Sequence, residues 1–314
     1  MTTQRYLVTG GAGFIGSHLV RYLLEQGRHV TVIDNLSTGR KSNLEGLKGD
    51  VRIVHGSVAN PADVQSAAQG VQGIVHLAAL PSVARSVEEP LATHQENATG
   101  TAVVLDVART AGLKVVYAGS SSAYGDQDVP AKHEELREQP LSPYAASKLV
   151  GELYCRSFAH VYGLPVVVTR FFNVFGPRQV ADSPYSGVIA AFCRALLHGD
   201  RPRIDGDGRQ SRDFTFVGDV VRGVQLAMET ELPGCQVINI ACGESHDLLE
   251  LLAVLKRHAR VDVEPVFGPP RVGDVRHSLA DISKARRLLG FEPRVSFEDA
   301  LRLTLDWYRS SGTT

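Results

Sequence analysis

The sequence predicts an α/β fold, a doubly wound parallel sheet with a smaller carboxy-terminal region laid over its mouth. Three observations predict it. Short β-branched runs alternate with longer amphipathic stretches, a glycine-rich turn joins the first run to the first such stretch, and the alternation loosens after "RFFNVFGP". Strands that alternate with helical patterns form parallel sheets covered on both faces.

The apolar runs are "RYLVTG", "HVTVID", "VRIVHG", "GIVHLAA", "VVYAGS" and "LPVVVTRF", and the stretches between them include "SHLVRYLLEQ" and "ENATGTAVVLDVARTAG". The first set reads as strands and the second as helices. Beyond "RFFNVFGP" come "RQVADSPYSG", a helix over "VIAAFCRALLHG", the turn-rich "DGDGRQSRD" and further helices and strands. The expected division is residues 1–172 for the sheet domain and 173–314 for the smaller region. Within the second part, about 213–242, which contains "DFTFVGDVVRGVQLAM", is expected to return to the sheet.

Composition excludes several classes of function. With 43% hydrophobic and 21% charged residues over 314 positions, the chain has enough apolar material for a sizeable core. A formal net charge of -1 leaves no basic footprint, so neither nucleic acid nor a membrane surface is an expected partner. The start "MTTQRYLVTGGAG" shows no apolar leader and no run is long enough to span a bilayer, which makes the cytoplasm the expected location. Cys155, Cys193, Cys235 and Cys242 have neither CxxC nor zinc-type spacing, so they are expected to be reduced, mostly buried side chains, and no metal is expected.

"VTGGAGFIGSHL" places Gly10, Gly13 and Gly16 after the first strand and at the opening of a helix. A tight turn, close approach of a pyrophosphate and packing of helix on strand each favour a residue without Cβ. The pyrophosphate would rest on the free N–H groups of the helix amino terminus. Asp34 closes the second strand about twenty residues on, where a carboxylate binds both ribose hydroxyls and repels a 2′-phosphate. NAD is therefore the expected cofactor. Arg40 and Lys41 follow closely and keep NADP as the lesser alternative.

In "LSPYAASKLVGELYCRSFAHVYG", Ser142 is placed to cap a helix that Pro143 begins and Gly163 ends. Tyr144 and Lys148 then share one face. A tyrosine with a pKa near 10 is a poor base at neutral pH, but a lysine cation and a positive nicotinamide ring beside it would favour the phenolate. Tyr144 could then take a proton from a substrate hydroxyl as hydride leaves the same carbon.

"TGGAGFIG", "HLAA", "SSSAYG" and "YAASK", in this order and at these separations, resemble the extended short-chain dehydrogenase/reductase family, and within it the nucleotide-sugar epimerases and dehydratases. The resemblance covers essentially the whole chain and implies a Rossmann-type domain. It implies that Ser120, four residues before the tyrosine of the "YG" pair, hydrogen-bonds the reacting sugar hydroxyl beside Tyr144 and Lys148. It also implies cofactor contacts at Gly10, Gly13, Phe14, Ile15, Gly16, Asp34, Asn35, Leu77, Ala78, Ala79, Asn97, Tyr144 and Lys148, with Ser82, Ser121 and Ser122 along the sugar pocket.

Members that remove water or carbon dioxide carry an acid two residues beyond the first serine; this chain has Ser122 there, too weak an acid or base without an activating partner. Epimerisation at C4 needs only oxidation, rotation of the keto sugar and return of the hydride, with the cofactor retained. The resemblance therefore points to a UDP-sugar 4-epimerase, with decarboxylation, dehydration and ketoreduction as rival reactions and a non-catalytic NAD-binding regulator as the remote one. It places Asn173 of "RFFNVFGP" at the diphosphate and sugar, Arg212 of "GDGRQSRDF" and Arg271 at the diphosphate, and Asp274 at the uridine ribose. Arginine suits diphosphate because its planar fork meets two oxygens at once.

Ser278 falls where the resemblance places a gatekeeper over the sugar's C2 substituent; with Gly187 and Ser121 also small, the expected pocket admits an N-acetyl group. UDP-N-acetylglucosamine and UDP-N-acetylgalactosamine are the expected pair, with UDP-glucose and UDP-galactose accepted less well, and Asn173 makes UDP-glucuronate a weaker alternative. Two departures stand out: Gly56–Ser57 replaces the family's Gly-Asp pair at the adenine, and Pro81 stands where N-acetyl-preferring relatives often have glycine. The helices of "ENATGTAVVLDVARTAG" and "KLVGELYCRSFAHVYG" resemble the pair that forms a four-helix bundle between subunits, so a homodimer is expected.

Overall fold

The computed structural model describes residues 4–181, 187–270 and 275–312. All six apolar runs are strands: β1 (Arg5–Thr9), β2 (His29–Asp34), β3 (Val51–His55), β4 (Gly73–His76), β5 (Lys114–Ser120) and β6 (Val166–Phe171). Between them lie α1 (Phe14–Glu25), α2 (Pro61–Ala67), α3 (Val83–Glu88), α4 (Pro90–His94), α5 (Gly100–Ala111) and α6 (Pro143–Tyr162). The second half carries β7 (Val174–Phe175), α7 (Val188–His198), β8 (Arg203–Asp205), β9 (Ser211–Arg212), β10 (Thr215–Phe216) and α8 (Val217–Glu229). It continues through β11 (Cys235–Ile240), β12 (His246–Asp247), α9 (Leu248–Ala259), β13 (Val266–Gly268), β14 (His277–Ser278), α10 (Ser283–Leu289) and α11 (Phe297–Ser311).

Seven strands form the expected doubly wound parallel sheet, in the order β11-β6-β5-β4-β1-β2-β3. Successive side chains of each strand enter opposite layers, which explains why the runs are apolar throughout. Val8 and Val116 pack with α1, α8 and α10, whereas Leu7 and Val115 pack with α2, α5 and α6. The chain runs outward in both directions from β1 and β4, so a crevice opens at their carboxyl ends. A separate cluster built on α7, α9 and α11 carries the small three-stranded ladder β12-β9-β14.

Helix α6 forms as its sequence predicts: the Ser142 side chain accepts from the Ala145 N–H, Pro143 occupies the first turn, and Gly163 closes the helix in the left-handed region. The helix expected over "ENATGTAVVLDVARTAG" begins earlier and is not uniform. α4 passes into α5 through a π-helical turn, Gln95–Thr99, which buries Asn97 and Ala98. Such single turns reset the side-chain register of a helix and often sit at functional sites. Among the described residues no helix is long and apolar enough to cross a membrane, and all four cysteines are free and buried or half-buried.

Candidate active site

The crevice at the carboxyl ends of the sheet is a cleft lined by Gly10, Gly13 and Gly16 at its centre, Asp34 and Asn35 at one end, and Tyr144 and Lys148 at the other. Its central turn is glycine by necessity. Gly10 has φ +69°, and a Cβ on it would lie 2.9 Å from the backbone of Ala78; one on Gly16 would lie 2.1 Å from the Gly10 carbonyl oxygen. The amino terminus of α1 has Gly13 as its cap with no side-chain hydrogen bond, leaving its N–H groups for an anion. Gly16→Ala is expected to lower dinucleotide affinity at least about fivefold, since overpacking this contact costs on the order of 1–3 kcal/mol; calorimetric titration measures it.

Asp34 holds the turn as well as facing the cleft: its carboxylate accepts from the Ala12 N–H at 2.9 Å and the Leu36 N–H at 2.8 Å. Phe14, Ile15, Leu77, Ala78 and Ala79 also line the cleft. Asn97, expected at the cofactor, is 1% exposed and lies behind this wall. It accepts from the Leu80 N–H at 2.7 Å and donates to Ser147 Oγ at 2.9 Å, so it fastens the wall to α6 one residue before Lys148.

At the other end, the Ser120 hydroxyl faces the phenol of Tyr144 and lies 2.7 Å from Ser122 Oγ. Ser120 caps the 3-10 turn Ser121–Tyr124, which brings the three serines to the face of α6. With protein groups alone the phenol of Tyr144 is not lowered: burial raises it, and the Ser120 hydroxyl pulls it partly back. The Lys148 ammonium stands 4.4 Å from the centroid of the Tyr117 ring. Burial pushes Lys148 down to about 8.

Tyr117, which the motif reading passed over, therefore belongs to this arrangement. Its ring faces the ammonium, and its hydroxyl donates to the Lys148 carbonyl oxygen at 3.1 Å. A Cβ on Gly151 would lie 2.3 Å from that hydroxyl, which explains a glycine inside α6. Behind it, His76 is fully buried, and burial followed by the Lys148 cation pushes it down to about 3. Thr9 Oγ1 accepts from the Leu77 and Ala78 N–H groups and so gives its own proton to His76 Nδ1, 2.8 Å away. The neutral ring then donates from Nε2 to Thr101. The only clue in sequence was the "HLAA" run, where an imidazole reads as core.

The expected sugar-site residues form a second group. The Asn173 side chain donates to the Asp213 carbonyl oxygen at 3.1 Å, and its backbone is left-handed at φ +31°. Arg212 and Ser278 are register partners in the β9-β14 ladder, and Arg212 donates to the carbonyls of Ser211 and Arg276. Ser278 is 6% exposed. Asp213, unremarked in the sequence, ties these pieces together by accepting from the N–H groups of Cys242, Gly243 and Ala280; burial raises it to about 6 against those bonds. Ser82 caps α3 through the Arg85 N–H, and Gly187 caps α7. Arg271 and Asp274 lie outside the described residues.

The two groups meet at the end of β6. Ser120 pairs in register with Phe171, which lines the cleft, and Asn173 follows two residues later. A family model of NAD-dependent epimerases and dehydratases matches residues 6–241. The chain belongs to this family.

Several of its relatives match over nearly their whole length. It is 38% identical to the UDP-glucose 4-epimerase of Mycolicibacterium smegmatis, over 98% of this chain and 99% of that one. It is 33% identical to the UDP-N-acetyl-alpha-D-glucosaminuronate decarboxylase of Bacillus cytotoxicus, over 98% of each. The UDP-N-acetylglucosamine 4-epimerase of Methanobrevibacter ruminantium, in complex with UDP-N-acetylmuramic acid, superposes with a TM-score of 0.94 at 38% identity, covering 99% of this chain and 100% of that chain. This epimerase/dehydratase chain uses NAD, and the glycine turn, the free helix terminus and Asp34 fit that cofactor.

Proposed function

We propose that the protein interconverts UDP-sugars that are epimers at C4, with UDP-N-acetylglucosamine and UDP-N-acetylgalactosamine preferred and UDP-glucose and UDP-galactose accepted. The observation that carries the reading is the contact of Ser120 with both Tyr144 and Ser122. Bound NAD supplies a reversible hydride acceptor. Ser120 Oγ orients the C4 hydroxyl of the sugar, and Tyr144 Oη takes its proton as C4 becomes a carbonyl. The keto sugar turns over in the cleft, and Tyr144 returns the proton once the opposite face of C4 is presented. Lys148, beside the phenol on the same face of α6, favours the phenolate form.

Ser122 supports epimerisation over elimination, because its hydroxyl is committed to Ser120 and no carboxylate stands in its place. That argument weighs against the decarboxylase chemistry of one relative. Anomeric-proton NMR with UDP-N-acetylglucosamine, UDP-glucose and UDP-glucuronate tests the reading. The galacto isomer of the acetylated sugar is the expected product, carbon dioxide release would replace the reaction, and conversion of UDP-glucuronate alone would replace the substrate.

Ser278 supports the acetylated pair, since a small side chain sits in the ladder beside Arg212. Ser278→Tyr is expected to cut turnover of UDP-N-acetylglucosamine at least about a hundredfold, a loss of roughly 3 kcal/mol, while UDP-glucose is affected far less. Coupled rate assays on both sugars measure it.

The reading includes a homodimer formed through α5 and α6. Leu153, Tyr154, Val161 and Tyr162 of α6 are 49%, 42%, 63% and 54% exposed, a run of large apolar side chains that a partner helix would cover. Sedimentation equilibrium decides between monomer and dimer.

A further inference from the structure

The cleft has a direction. From Tyr144 and Lys148 it crosses the glycine turn to Asp34 and ends between Ile33, Gly56 and Val58, at the carboxyl ends of β2 and β3. A dinucleotide lying along it has its pyrophosphate on the turn, its adenosine ribose at Asp34, and its base beyond, toward β3.

The base end holds one further carboxylate, Glu96, on the π-helical turn. That turn commits Asn97 to Leu80 and Ser147 inside the protein, while the neighbouring Glu96 faces the cleft. Glu96 Oε2 accepts from Asn35 Nδ2 at 3.5 Å, the outer limit for such a bond. Asn35 follows Asp34 directly, so this contact puts Glu96 on the base side of the ribose, away from the pyrophosphate that would repel it. Burial raises its carboxyl, which means that the groups around it do not supply what a carboxylate needs.

Residues 56 and 57 do not offer an alternative acceptor. Ser57 Oγ accepts from the Ala59 N–H at 3.1 Å, and Asp63 Oδ2 accepts from the Ser57 N–H at 3.0 Å. Both side chains close the turn after β3, and neither is among the residues that line the cleft.

A carboxylate only accepts hydrogen bonds. A 6-aminopurine presents a donor at its exocyclic position, whereas a 6-oxopurine presents an acceptor that a carboxylate repels. We infer that Glu96 binds the exocyclic amino group of the cofactor's adenine and makes the site select a 6-amino over a 6-oxo purine dinucleotide. The inference rests on NAD as cofactor and is independent of the sugar and of the reaction at C4.

Calorimetric titration of the nucleotide-free protein with NAD and with nicotinamide hypoxanthine dinucleotide tests it. The protein is expected to bind NAD about tenfold to a hundredfold more tightly than the 6-oxo analogue, the range of one hydrogen bond to a charged group. Glu96→Gln is expected to bring the two affinities within about threefold, because a rotated amide donates to the 6-oxo group. Its melting temperature without nucleotide should match that of the parent, since the side chain is half-exposed and makes one long bond. A preference that is missing in the parent, or unchanged in Glu96→Gln, overturns the inference. Failure of the parent to bind either dinucleotide would overturn the cofactor assignment itself, and this inference with it.

Discussion

Tyr144→Phe is expected to lower kcat by about 10²–10⁴ while NAD remains bound, the span that a positioned acid–base group contributes. The substitution removes one oxygen. Tyr144 is half-buried, its hydroxyl faces Ser120, and its ring lines the cleft beside Lys148. Phe keeps the ring and its packing, so the cofactor should co-purify and the melting temperature should change little. KM should also move little, since the residues proposed to hold the sugar diphosphate lie on other elements. A parallel loss of NAD would instead make Tyr144 a binding residue, and full activity would remove it from the mechanism.

The pH profile follows from the same pair. Lys148 is lowered to about 8 by burial, so its ammonium is present below that pH and is lost as pH rises through it. With the cation gone, the phenolate of Tyr144 is no longer favoured. Turnover is expected to fall on the alkaline side of about pH 8, a limb that Lys148→Met would abolish together with most of the rate.

Arg170→Met is the second large effect, and it acts on stability, with an expected loss of about 3–5 kcal/mol. Arg170, on β6, has no exposed surface. Its Nε donates to Glu152 Oε2 at 2.9 Å, and its Nη2 donates to Glu152 Oε1 at 2.6 Å and Glu138 Oε1 at 2.8 Å. Its guanidinium also stands 4.5 Å from the centroid of the Tyr124 ring. Burial works against this charge, and the hydrogen bonds to Glu152 outweigh it, so the arginine stays protonated. Removing it strands Glu152, 1% exposed, with Arg156 as its remaining cation.

The comparison that isolates this cause is the double variant Arg170→Met, Glu152→Met. If the cost comes from a buried carboxylate left with Arg156 as its one cation, the double variant should recover much of the loss in urea denaturation, since apolar replacement of a buried pair is often neutral. If it is no more stable than Arg170→Met, the loss comes from packing against Tyr124 instead. The same network bears on catalysis, because Tyr124 ends the turn that Ser120 begins.

How much of this was legible depends on the range over which each feature is specified. The six strands and the glycine turn are local: period, β-branching and the need for backbone without Cβ are properties of a few neighbouring residues. Helix α6 was legible from cap to cap because Ser142, Pro143 and Gly163 act on the backbone beside them. The strand β11 was harder to see, since "CQVINI" is short and becomes a sheet strand only by pairing with β6, from which residues 172–234 separate it.

The site divides in the same way. Gly10, Gly13, Gly16, Asp34, Tyr144 and Lys148 could be picked out by their spacing, and Ser120 by the family resemblance of its motif. The sequence by itself determined a Rossmann-type sheet, a dinucleotide turn and a serine–tyrosine–lysine set. Only the tertiary structure decided that Lys148 rests on Tyr117, that Asn97 faces inward while Glu96 faces the cleft, and that Asp213 joins three loops. Each of these pairs a residue with partners on other elements, where burial and charge are set by packing rather than by neighbours along the chain.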